Sequence, residues 1–185
     1  MNSIKSALQS EQVLNYPKHD GFEELLNSCG SMTSQLENLG HQLSITLISE
    51  IHTEKYFERY ISLNLDQVPV ILACSRSKIS NEFFYTLLKN AHVTPIGKFL
   101  FAPHSQVKRL PHMEIKQIDA LMLSNLPILK QYLTNKYHSQ QQFWLRNSQF
   151  SYLTQQLDVI EIILPQVNLF FSTIDILPAL KDEDS

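Results

Sequence analysis

Two stretches of strand character, 56–65 and 70–79, are separated only by Asp66-Gln67-Val68-Pro69, and this spacing constrains the fold more than any other feature of the chain. A link that short joins antiparallel neighbours, because parallel strands need a crossover of a dozen or more residues. A further strand is predicted over 42–51, with Leu43, Ile45 and Leu47 on one face and Ser44, Thr46 and Ile48 on the other. Segments 142–153 and 157–164 have the same character.

Helical spacing occurs between the strands. Phe22, Leu25 and Leu26 form one apolar stripe, and Met32 and Leu36 form another between a Ser31 cap and Gly40. Phe84, Leu87, Leu88 and Ala91 form a third, opened by Ser80 and stopped before Pro95. Over 114–137, Ile115, Ile118, Leu121 and Met122, then Leu129, Tyr132 and Leu133 beyond Pro127, predict a helical hairpin. Residues 2–14 have the pattern of a loose helix. Strands without regular helical crossovers imply an α+β fold, a single antiparallel β-sheet with helices packed on one face.

At 185 residues and 43% hydrophobic content, the chain has the size of one domain spanning 1–185. Residues 1–20 are expected to be loosely ordered, 102–143 to form an extended, partly helical insertion, and 180–185 a disordered tail. A net charge of −3 with scattered lysines and arginines excludes wrapping of nucleic acid. The N-terminus lacks the pattern of a secretory signal, and no apolar run approaches the roughly 20 residues of a membrane span. The cytoplasm is the expected compartment. Cys29 and Cys74 lack metal or redox spacing and are expected to be buried free thiols. The seven histidines show no paired ligand spacing, so no metal is expected.

Two charges break the apolar pattern. Glu161 stands inside Val159-Ile160-Glu161-Ile162-Ile163-Leu164, a run suited to a strand buried on both faces. A carboxylate there is protonated, paired with a cation or turned to a polar cavity. Arg76 falls by the period of two on the same face as Val70, Leu72 and Cys74. Its planar fork suits a carboxylate. The two charges form a structural ion pair with each other, or one lies at a strand end in water, or they belong to a ligand pocket.

Three blocks favour the pocket. They are Ser31-Met32-Thr33 through Gly40 to Ser44–Glu50; Arg76-Ser77 followed by Thr94-Pro95-Ile96-Gly97-Lys98-Phe99-Leu100-Phe101; and Trp144-Leu145-Arg146 leading to Glu161-Ile162-Ile163-Leu164-Pro165. In this order the chain resembles the chorismate pyruvate-lyase family (4-hydroxybenzoate synthases) over most of residues 30–165. The resemblance implies a carbon-oxygen lyase that eliminates pyruvate from chorismate to leave 4-hydroxybenzoate, the first step of ubiquinone biosynthesis. It further implies a monomer, no cofactor and a ligand buried under flaps. The family's substrate-binding positions fall on Met32, Arg76, Ile96 and Glu161, where Ile96 replaces a leucine. Arg76 and Glu161 carry the catalytic roles, with Arg76 anchoring a carboxylate and Glu161 orienting the ring hydroxyl or accepting the ring proton. Arg146 also follows the family pattern, with a structural role or one in steering substrate. The chain is shorter than the family between Glu50 and Tyr56, longer between Phe101 and Trp144, and carries Ser80 where proline is frequent. The alternative function is a non-catalytic module of the same fold that binds small aromatic acids, akin to the effector domains of transcription regulators. Trp144 and Phe143 are expected in the core, and Glu50 with Arg59 as a cross-strand or surface pair.

Overall fold

The computed structural model describes residues 20–171; the readings made for 1–19 and 180–185 lie outside them. Six strands form one antiparallel sheet in the order β1-β2-β3-β6-β5-β4. They are β1 (Leu43–His52), β2 (Tyr56–Leu65), β3 (Val68–Lys78), β4 (Lys108–Ile118), β5 (Phe143–Tyr152) and β6 (Gln155–Ile163). The α+β class is as the sequence implies. Two runs of three consecutive strands lie side by side, and β3 meets β6 at the centre with Ala73 opposite Glu161.

The β2–β3 connection is tighter than the sequence suggests. Val68 and Pro69 already belong to β3, leaving Asp66 and Gln67 as the turn, with φ of 47° and 69°. Two consecutive left-handed residues are the mark of a type I′ turn, whose twist matches that of the strands it joins. Asp66 also accepts from the Gln42 N–H at 2.9 Å and contacts His41 Nδ1 at 2.8 Å, which fixes the start of β1 beside the turn. Those contacts hold the Asp66 carboxyl below the usual carboxylate range, the His41 hydrogen bond acting most.

Among the described residues, five helices cover one face: α1 (Asp20–Asn27), α2 (Met32–Glu37), α3 (Glu82–Asn90), the single turn α4 (Gly97–Leu100) and α6 (Asn168–Phe171). Phe22, Leu25, Leu36 and Phe170 pack on Ile61, Leu63 and Ile71 there, while Phe84 and Leu88 pack on Phe57 and Leu157. The opposite face has its own cover. Helix α5 (Pro127–Lys136), preceded by a 3₁₀ turn at Ala120–Met122, sets Leu129 and Leu133 against Leu72, Leu145 and Ile162.

The helical hairpin expected over 114–137 is therefore half right. Ile115 and Ile118 belong to β4, an edge strand of the sheet, and only the second arm is a helix. Segment 102–143 thus supplies both a strand and the cover of the second face. Cys74 is buried as expected and Cys29 is exposed; both are free thiols. Burial raises the Cys74 thiol to about 12, with Glu58 adding to the effect.

Leu133, the fully buried side chain of α5, and Leu121, 60% exposed in the preceding 3₁₀ turn, separate cover from surface. Leu133→Ala is expected to cost about 2–5 kcal/mol, and Leu121→Ala less than about 0.5 kcal/mol, by urea denaturation. Equal effects would show that α5 does not seal this face.

Candidate functional site

The sheet face under α1–α4 is apolar at its ends and polar in its middle. Alternation along β5 puts Arg146, Ser148 and Phe150 on this face, and alternation along β6 puts Val159 and Glu161 beside them. Arg146 and Glu161 are directly opposite in register, and Arg146 Nε donates to Glu161 Oε2 at 2.7 Å. Both are buried. Arg146 Nη1 also donates to the carbonyls of Leu25 (3.4 Å) and Ser28 (3.1 Å), at the C-terminal end of α1. The guanidinium thus meets the negative end of a helix as well as a carboxylate.

Above these residues lies a cavity of about 510 Å³ counted out to its mouth, of which about 40 Å³ is open to a solvent molecule. Met32 and Thr33 of α2, with Ile96 and Gly97 at the start of α4, line it from above. The two helices meet closely, since a Cβ added at Gly97 would sit 2.6 Å from Ser31 Oγ. Ser31 in turn caps α2 by accepting from the Ser34 N–H. Only glycine lets this cap and the α4 backbone occupy the same space.

A second arginine enters from β4. Arg109, half-buried, donates to Ser148 Oγ, to the Ser28 carbonyl at 3.4 Å and to Met113 Sδ, with its guanidinium 5.8 Å from the centre of the Phe150 ring. Burial and the neighbouring Arg146 lower its pKa, and Glu161 partly offsets them. Arg146 spends its charge on Glu161, whereas Arg109 has no carboxylate bound to it among the described residues. The cavity therefore carries a net positive charge within mostly apolar walls.

A third arginine holds the cavity's cover. Arg59 is fully buried, and its Nη2 donates to the carbonyls of His92 and, at 3.3 Å, Thr94, the residues that lead into Pro95 and Ile96. Burial lowers its pKa against the attraction of Glu50, its neighbour in register. The expected Glu50–Arg59 relation is thus cross-strand, with Arg59 in the interior.

The structure brings Met32, Ile96 and Glu161 together round this cavity. It does not bring Arg76. Arg76 points to the other face of the sheet with Leu72 and Cys74, as its parity implies, and its Nε donates to Glu58 Oε1 at 2.6 Å. The expected Arg76–Glu161 partnership fails because the Ala73–Glu161 register gives Glu161 the face of Ala73 and Ser75. Each charge has its own partner on its own side. Arg146, left open between two roles by the sequence, holds Glu161. Arg109 was missed because 108–113 was not read as strand; within β4 it shares the parity and the face of Met113 and Ile115, opposite Phe150, Ser148 and Arg146, across an irregularity in the register. Phe143 is in the core and Trp144 packs against it, as expected. Among the described residues, no three His, Cys, Asp or Glu side chains converge, and no helix is long and apolar enough to cross a membrane.

No protein-family profile matches the sequence, and no curated protein does. Solved structures do resemble the fold. The effector domain of PhnF from Mycobacterium smegmatis is 12% identical over 74% of this chain and 89% of its own, with a TM-score of 0.48. The C-terminal domain of the histidine utilization repressor from Pseudomonas syringae pv. tomato str. DC3000 is 9% identical over 66% and 91%, with a TM-score of 0.44. PhnF itself gives 12%, 74%, 65% and 0.46.

The ion pair on the sheet makes a stability prediction. Arg146→Met leaves Glu161 buried without its cation and is expected to cost about 3–5 kcal/mol, while adding Glu161→Leu restores most of that. Urea denaturation of the single and double variants measures it. An additive loss in the double variant would mean that the two side chains are not coupled.

Proposed function

We propose that the cavity binds a small carboxylic acid with an apolar or aromatic body, and that binding rather than catalysis is its basic activity. One observation carries the reading: Arg109 brings a guanidinium without a bound carboxylate to an otherwise apolar cavity whose other charges, Arg146 and Glu161, neutralise each other. A planar cation in such walls favours an anion that also has apolar surface. The ligand's carboxylate sits at Arg109, and its body lies between Met32 and Ile96 above and Ile61 and Ala73 below. A hydroxyl on that body has Glu161 as a partner, while Ser148, bound to Arg109, lies at the carboxylate end.

The reading makes 4-hydroxybenzoate a suitable probe and 4-hydroxybenzamide its neutral control. Calorimetry is expected to show the acid bound at least about tenfold more tightly than the amide, the worth of one charge-assisted hydrogen bond. Arg109→Ala is expected to remove that preference and Arg76→Ala to keep it. Equal affinity for acid and amide would refute the reading.

A second reading is the elimination of pyruvate from chorismate, favoured by the seating of Met32, Ile96 and Glu161 round one cavity. Aromatisation supplies much of the driving force, so the chain's part is to hold a reactive conformer and stabilise charge on the departing enolpyruvate. In this reading Arg109 takes over the anchoring role expected of Arg76. Incubation with chorismate is then expected to give equimolar 4-hydroxybenzoate and pyruvate, with the yield lost in Arg109→Ala and kept in Arg76→Ala. Binding of 4-hydroxybenzoate without any turnover of chorismate would leave the binding module alone.

A further inference from the structure

The other face of the sheet has a cavity of its own, and Arg76 belongs to it. It measures about 650 Å³ counted out to its mouth, with about 220 Å³ open to a solvent molecule, against about 40 Å³ in the cavity of Arg109. The six-stranded sheet lies between the two. Its floor is apolar, made by Leu145 and Ile160, and Leu126 ahead of α5 closes one side.

The polar groups are set at distinct places on this apolar bed. Arg76 spends Nε on Glu58 and Nη2 on the Asn125 carbonyl at 3.1 Å, and Nη1 has no hydrogen-bond partner among the described residues. Both Glu58 oxygens are occupied, one by Arg76 and one by the Tyr60 hydroxyl. Across the sheet, Glu114 on β4 binds Lys116 Nζ at 2.8 Å. Asn147, opposite Glu114 in register, has its Oδ1 buried with no donor to it among the described residues. A buried amide oxygen without a donor is rare and calls for an N–H or O–H.

The charges select further. Arg76 with Glu58, and Lys116 with Glu114, are balanced pairs, and Asp158, opposite Arg76 in register and held by Gln149, adds a negative charge beside the lining. A simple anion finds no net field to draw it in, and a simple cation meets Arg76 and Lys116. A molecule that carries both charges suits the whole. At the mouth, Met122 is 59% exposed, an apolar side chain that an occupant would cover.

We propose that this cavity is a second binding site, for a small zwitterion with an apolar middle, its carboxylate at Arg76 and its ammonium at Asn147 Oδ1 and Glu114. The site is independent of the reading given to the first cavity, since the two share no lining residue.

The probe is 4-(aminomethyl)benzoate, with benzoate and benzylamine as its two halves, titrated into the full chain by calorimetry. The zwitterion is expected to bind one per chain, at least about tenfold more tightly than either half. Asn147→Leu is expected to weaken it by a similar factor. Met122→Trp, at an exposed position where folding is not at stake, plugs the mouth and is expected to do the same. Equal affinity for the three compounds, binding undisturbed by Met122→Trp, or binding abolished by Arg109→Ala would each overturn the proposal.

Discussion

A charge in the middle of a buried strand must be met from within, and the pairing of Glu161 with Arg146 is the interaction on which the rest of this architecture depends. The two residues stand side by side on the most covered part of the sheet. Because Arg146 also takes two carbonyls at the end of α1, the same guanidinium ties a helix to two strands.

Charge balance then divides the labour among the arginines. Arg146 is neutralised and structural. Arg59 faces carbonyls and holds the segment leading to Pro95 and Ile96 over the sheet. Arg109 alone brings a charge not spent on a carboxylate to the first cavity, and Arg76 brings a half-spent one to the second. The same side chain thus serves as floor and tether, and in two further places as a cation set at a cavity, according to what surrounds it.

Much of the sheet was legible in the sequence because its signals are local. The four-residue separation of 56–65 and 70–79 forces a hairpin, and the intrusion of Glu161 into an apolar run marks a partner or a cavity. Parity within a strand also put Arg76 correctly with Leu72 and Cys74, but not with Val70, which packs with Ile71 on the other face beside an irregularity in the β2–β3 register. Parity cannot say which face of one strand continues as which face of another. That depends on the pairing of Ala73 with Glu161, a contact between residues far apart in sequence, and it sent Arg76 and Glu161 to opposite sides. Strand β4 was hidden for a different reason. It lies at an edge, carries Pro111 and an irregular register, and its Ile115 and Ile118 are spaced as on a helix. Met32 and Ile96 stood out through the family resemblance, since neither breaks its local pattern.

The central seam between β3 and β6 has a consequence in time. It joins residues 71–77 to 157–163, so the two three-stranded halves cannot unite until nearly all of the described chain has left the ribosome. Until then β3, built from Val70, Ile71, Leu72, Ala73 and Cys74, presents an apolar edge with unpaired backbone groups. Synthesis of this chain is therefore a race between the arrival of β6 and the capture of that edge by another chain.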